Sequence, residues 1–333
     1  MPIVVNSNTS ATVASYNLSK ANDALRKSLN RLSSGNRINA PGDDAGGLAV
    51  AYKLDSQASR TTRLIQNAQN ALSYLEVQDS ALSSVGSMLD RIAELRTMAQ
   101  DLTKNTGDIE NYSKEFIELQ TQLSQIREEK FNGISLFSIE TSETSLVGMS
   151  NATLSLGSAS HENTSDGSLM TYDKFSRTLL TNSSGVQSSG SISINVVNLQ
   201  FVLSIGALTS NTGTIANLGG FGISSAGDGL IEQNGQYIIS DILDVSVSQL
   251  TDAIERLADM RAENGAEQNR VANAIDLMRN NLASIEAAHG RIADTDVALE
   301  STRFAKENIL VQASASMTAQ ANQLSNVALT LIG

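Results

Sequence analysis

The chain has 333 residues, with Lys plus Arg at 23 and Asp plus Glu at 35, a formal charge of −12, and no cysteine. That length supports a sizeable core without disulfide staples; the acidic balance argues against nucleic acid as a partner, and thiol chemistry and cysteine-ligated zinc are excluded. With only 2 Pro, no Trp and 4% aromatic against 41% hydrophobic residues, Ala, Leu, Ile and Val must build the interior, a composition suited to long helices.

Ile3-Val4-Val5 is the only early apolar run and is far too short for a signal-peptide core, so no cleavable export signal is expected. The first predicted helix carries a narrow stripe at Ala11, Ala14, Leu18, Ala21, Leu25, Ser28 and Leu32. Pro41-Gly42-Asp43-Asp44 then marks a turn whose carboxylates can cap a second helix, expected from Asp44 to about Gln100 and on the order of 85 Å long. Leu64, Ala68, Ala71, Leu75, Gln78, Leu82, Val85, Leu89 and Ile92 alternate steps of four and three, the seam of a left-handed coiled coil, with a shift after Ile92. Thr106-Gly107-Asp108 reads as a turn, Phe116, Leu119, Leu123 and Ile126 as a shorter returning helix, and Phe131-Asn132-Gly133 as a hairpin turn.

Between about Ser138 and Ser248 the periodicity changes to two, at Ile192, Ile194 and Val196 and at Leu199, Phe201 and Leu203, with a β-prone run at Tyr237-Ile238-Ile239. This stretch holds only Lys174 and Arg177 as basic residues and reads as a small inserted β-rich domain whose Ser/Thr/Gly clusters, such as Thr209 to Thr214, form loops. Helical alternation returns at Leu250, Ile254, Leu257, Arg261, Asn264, Gln268, Val271, Ile275, Met278, Leu282, Ile285, His289 and Ile292, where the four polar positions are read as register-setting. A final stripe runs through Leu310, Ala313, Met317, Gln320, Leu324, Val327 and Leu331 in a tail that carries no charge from Asn308 onward. Gln and Asn residues interrupt that tail, so it is expected to pack against protein and not to enter a membrane. Residues 1–40 carry a net charge of +4 and residues 294–333 one of −2, which favours their pairing, within a chain or between neighbours.

Signs of catalysis are weak. His161-Glu162 begins like the zinc-protease pattern H-E-x-x-H, but Ser165 stands where the second imidazole is needed. Gly46-Gly47, Gly219-Gly220 and Gly227-Asp228-Gly229 lack the Lys-Ser/Thr of a phosphate loop, and close helix packing is the better reading of Gly46-Gly47. No enzyme activity, metal or cofactor is expected. Asn151, Asn163 and Asn182 head Asn-x-Ser/Thr sequences, which leave surface sugars open.

The segment from Leu29 to Asn39, LNRLSSGNRIN, followed by Asp43 to Val50, DDAGGLAV, resembles the N-terminal signature of bacterial flagellins, and Gln312-Ala313, Met317 and Ala319 to Gln323 resemble the C-terminal one. Phe131-Asn132-Gly133 and Ile292 to Asp296 extend the likeness over about residues 1–137 and 250–333. The chain departs from the family at Gly46, commonly Ala, and in lacking Pro before Asn326-Val327.

The resemblance implies a mainly α fold: a long antiparallel coiled-coil rod formed by the paired terminal regions, with the β-rich insert. Its parts would be an inner-tube helix pair (1–43 with 294–333), a rod-shaped shell domain (44–137 with 249–293) and a solvent-exposed variable domain (138–248). It implies a self-assembling filament subunit for motility, extracellular and exported without a cleavable signal. The partners implied are further copies of the chain, cap and hook-associated proteins, and the export apparatus with its chaperone. A hook–filament junction protein is the alternative, and a chemoreceptor-like coiled coil a more distant one. Arg31, Arg37, Asp43 and Asp44 would hold helix ends at the junction of the tubes, and Leu310, Met317, Leu324 and Leu331 would serve assembly. Arg91, Glu94, Leu95 and Glu115 fall on positions bound by toll-like receptor 5, with subunit packing as their primary expected role.

Overall fold

Helical periodicity at both ends and period-two patterning in the middle become, in the computed structural model, five long helices and a small set of strands among the described residues. The structure describes residues 8–138, 157–162, 169–186, 188, 190–207, 215–218, 230–233 and 236–332. The helices are α1 (Thr9–Ser34), α2 (Ala45–Ala99), α3 (Thr106–Ile126), the short α4 (Leu199–Val202), α5 (Val247–Ala293) and α6 (Val297–Ile332). Among the described residues no helix is long and apolar enough to cross a membrane. Two compact units are present, Met1–Arg60 with Asn280–Gly333 and Thr61–Arg279.

In the first unit α1 and α6 pair antiparallel. Asn8 caps α1 by accepting the Ala11 N–H at 3.0 Å and donates Nδ2 to the Ala321 carbonyl at 2.8 Å, while at the other end Thr295 N–H reaches Gly35 O at 2.9 Å. Gly35, at φ 72°, closes α1 by donating to Arg31 O, a left-handed cap that favours glycine. The expected α1 stripe is the one that turns inward: Ala21 and Ser28 are buried, and Ala11, Ala14, Leu18, Leu25 and Leu32 are half-buried.

On α6 the outcome differs. The inward phase is Glu300, Phe304, Glu307, Val311, Ser314, Thr318 and Ala321, and the expected Leu310, Ala313, Met317 and Gln320 are exposed. One residue of offset turns a helix face by about 100°. Hydrophobicity selected the outward phase because the inward one, Phe304 and Val311 apart, is polar or small.

In the second unit α2 and α5 run antiparallel, with Leu75 beside Gln268, Gln78 beside Asn264, Asp79 beside Arg261 and Gly86 beside Leu257. Ala68, Leu75, Gln78, Leu82, Val85, Leu89 and Ile92 are completely buried, as the seam requires, and beyond Ile92 it passes through Leu95, Arg96 and Ala99. Gln78 and Asn264 prove to be partners. Asn264 Nδ2 donates to Gln78 Oε1 at 2.8 Å, Gln78 Nε2 donates to Leu136 O at 2.8 Å, and Gln268 Nε2 donates to Asn264 Oδ1 at 2.7 Å. A buried amide layer with its donors placed fixes helix register, because a slip would strand those groups without water.

Thr106-Gly107-Asp108, expected as a turn, is the first turn of α3. Asn105 Oδ1 accepts the Asp108 N–H at 2.9 Å and Asp108 Oδ2 accepts the Asn105 N–H, a reciprocal cap that starts a helix despite Gly107. The hairpin at Phe131-Asn132-Gly133 is present: β1 (Lys130–Phe131) pairs with β2 (Ile134–Ser135), with Asn132 at φ 50° and Gly133 at φ 77°.

The middle holds a four-stranded sheet in the order β3 (Phe137–Ser138), β6 (Ser191–Asn198), β5 (Leu169–Leu180), β4 (Gly157–Glu162), with β3 parallel to β6 and the other pairs antiparallel. Ile192, Ile194 and Val196 are buried, following their alternation. Leu199, Phe201 and Leu203 do not continue a strand. Asn198 Oδ1 accepts the Phe201 N–H at 3.2 Å and caps α4 instead. Two hairpins follow, β7 (Ser204–Ala207) with β8 (Ile215–Asn217) and β9 (Leu230–Gln233) with β10 (Gln236–Ile239). The loop Thr209–Thr214, Ser165, and the paired glycines at 219–220 and 227–229 lie outside the described residues.

Candidate assembly surface

The segment after α1 is built from turn residues, and the structure straps it to the link between α5 and α6. Arg37 donates its own N–H to Ala293 O at 2.6 Å and Nε and Nη2 to Ile292 O at 3.0 and 2.8 Å. Asn36 and Asp294 form an isolated antiparallel bridge. Arg37 also lies 4.0 Å from Asp44, whose main task is capping: its Oδ1 accepts Gly47 N–H at 2.8 Å and its carbonyl accepts Leu48 N–H at 3.0 Å. Lys27 reaches Asp43 at 2.6 Å. With the Asn39 N–H, that contact holds the Asp43 carboxyl below the usual carboxylate range.

Arg31 finds a partner that sequence reasoning did not name. Its Nη1 is 3.9 Å from Glu300 Oε2, while Ser28 Oγ donates to Glu300 Oε1 and Arg303 lies 3.3 Å away. Glu300 is 4% exposed. The available signal was Glu300 and Glu307 seven residues apart, which mark one continuous helix phase.

Away from this pairing α6 exposes several large apolar side chains. Ile309, Leu310 and Met317 are exposed at 66%, 41% and 63%, and Val13 and Tyr16 of α1 are exposed as well. A groove of about 500 Å³ lies between the helices, lined by Val13, Ala14, Ala313 and Met317 among others. The side chains of Leu324 and Leu331 lie outside the described residues.

In the second unit Arg91 of α2 pairs with Glu115 of α3 at 2.7 Å and with Glu94 one turn on at 3.0 Å, and these two carboxylates raise its pKa. The three form an exposed cluster. Leu95 does not join them. It is completely buried in the seam. His161 and Glu162 lie on β4, paired with Met170 and Leu169; that strand lacks the helical pitch a zinc-protease motif needs. His289 is half-buried near the end of α5.

Two family descriptions match the chain, the bacterial flagellin N-terminal helical region over residues 5–142 and the bacterial flagellin C-terminal helical region over residues 247–332. Flagellin A of Vibrio anguillarum is 30% identical, covering 100% of both chains. The chain belongs to the bacterial flagellin family. The flagellin of Bacillus subtilis is 28% identical over 96% of each chain, and the flagellar filament 33 kDa core protein of Treponema phagedenis is 27% identical over 99% of this chain and 100% of its own.

In this flagellin the strapped junction, the α1–α6 pair and the Arg91 cluster all fall inside the two matched regions. At Gly47, reading the glycine as a close-packing position agrees with the geometry. A Cβ there would lie 2.4 Å from Asp44 Oδ2 and 2.9 Å from Ile38 Cδ1. Gly47→Ala is therefore expected to displace the Asp44 carboxylate from the α2 cap. The loss of stability should be about 1–2 kcal/mol, measured by chemical denaturation against wild type. Gly46→Ala meets only an ordinary contact, 3.7 Å from Asp44 Oδ1, and should leave stability within about 0.5 kcal/mol.

Proposed function

We infer that this flagellin acts by packing, as a structural subunit of the bacterial flagellar filament, and that the outward face of α1 and α6 is where copies join. The observation that carries the reading is the placement of Ile309, Leu310, Met317, Val13 and Tyr16 in water, outside the α1–α6 contact within the chain. A subunit that leaves several large apolar side chains outside its own helix pairing has them free for a neighbour. A contact between that face and a different surface of the next copy is heterologous, and it propagates as an open filament where its rotation does not close a ring. Full-length similarity to filament flagellins favours this role over a hook–filament junction protein or a signalling coiled coil.

In the assembled filament residues 1–43 with 294–333 form the inner tube, 44–137 with 249–293 the shell, and 138–248 the solvent-facing domain. The polymer is extracellular. Its subunits meet the export apparatus and its chaperone first, then hook-associated and cap proteins. Arg31, Arg37, Asp43 and Asp44 hold the helix ends where the two tubes join. The exposed cluster Arg91, Glu94 and Glu115 offers toll-like receptor 5 a charged surface once subunits separate.

The purified chain, concentrated with sulfate to strengthen apolar burial, is expected to form long tubes visible by negative-stain electron microscopy. Small particles persisting even with added filament seeds would overturn the reading.

A further inference from the structure

Where the β5–β6 sheet meets α5, Glu263 and Glu267 stand one helical turn apart. Like charges at that spacing repel, and such a face ordinarily stays in water. Here Glu267 is 6% exposed, and both of its oxygens face one donor, the Asn195 N–H of β6, at 3.1 and 2.8 Å. Glu263 accepts Asn195 Nδ2 at 3.1 Å and pairs with Lys174 of β5. The other charged or titratable groups acting here are Arg270, exposed on α5, and Tyr74 of α2, under the Arg177 guanidinium of β5 at 5.8 Å. Asn195 Oδ1 is buried and has no donor.

The contact therefore gathers two carboxylates and an amide oxygen, with one ammonium paired to Glu263. It has more acceptors than protons to fill them. We propose that the Glu263–Glu267 pair is a proton-binding site that holds β6 against α5 in acid and loosens that contact as the proton leaves. Burial, followed by the charge of Glu263, pushes Glu267 up to about 7, against pulls from the Asn195 N–H, Lys174 and Arg270. The sign follows from linkage. A carboxyl whose pKa rises on docking stabilises the docked state fully below about 4.5, progressively less up to about 7, and not at all above it.

Hydrogen exchange of the intact chain from pH 5 to 8.5 tests this through the β6 amides. After correction for intrinsic base catalysis, protection of residues 191–198 is expected to fall by about a hundredfold across that range. Glu267→Gln, which keeps the shape of the protonated acid, should make protection independent of pH. Lys174→Met, which removes the pull toward the charged form, should move the fall to higher pH. Protection in wild type that does not change with pH overturns the proposal, as does an unmoved transition in Lys174→Met. The second result decides the matter even where Glu267→Gln does not fold.

Discussion

A chain lacking residues 308–333 forms no tubes under conditions in which the intact chain does. The deletion removes Val311, Ser314, Thr318 and Ala321 from the inward side of α6, and with them the bond from Asn8 to Ala321. The first turns of α1 then have no partner, and a helix segment of that length is marginal in water by itself. It also removes Ile309, Leu310 and Met317 from the outward side, so the deletion alone does not separate folding of the subunit from joining of copies. The double variant Leu310→Asp, Met317→Asp does. Both side chains are exposed in the subunit, so circular dichroism and thermal melting should stay close to wild type, while carboxylates placed in a dry contact between copies should abolish tubes. Tubes of normal length from the double variant would sink the assignment of that face to assembly.

Glu300→Ala is expected to cost the α1–α6 pair about 2–4 kcal/mol, measured as a shift in the denaturant midpoint with helix content as the signal. Glu300 is the acceptor for Ser28 and sits between Arg31 and Arg303, with its side chain 6% exposed. Truncation leaves Ser28 buried without its acceptor and Arg31, 19% exposed, without its carboxylate; Arg31 Nε already has no partner. Glu300→Gln keeps an acceptor for Ser28 and loses only the charge, so its cost should be about half or less. Equal effects from the two variants would mean that the negative charge facing Arg31 and Arg303, and neither the acceptor nor the packing volume, matters at this position.

The seam of α2 and the inward stripe of α1 were legible because each buries one narrow face, and burial of one face imposes a period that a sequence displays directly. The hairpin at Asn132-Gly133 and the cap before α2 were legible because backbone geometry there admits few residue types. The amide layer was half legible: Gln78 and Asn264 stood out as polar residues on apolar stripes, but their pairing across 186 positions is a fact of register between two helices.

Elsewhere the tertiary structure decided. Along α5 the buried set widens to include Asp252, Arg256 and Glu267, because that length of helix meets α2 on one side and sheet residues on another. Arg256 donates to the Ser204 carbonyl and lies 5.7 Å from the Phe201 ring, a charged side chain held inside by partners that arrive from the inserted segment. No periodicity announces such a residue, since in sequence it reads as part of a solvated face.

Thus the sequence by itself determined the family, the helical ends and their capped boundaries, which depend on neighbours within a few residues. Only the tertiary structure decided which phase of α6 turns toward α1, that Leu95 is core, and that Glu267 and Glu300 are buried. Those outcomes depend on which distant group reaches a side chain, and the free energy of burying a charge is set by that partner and not by the residue alone.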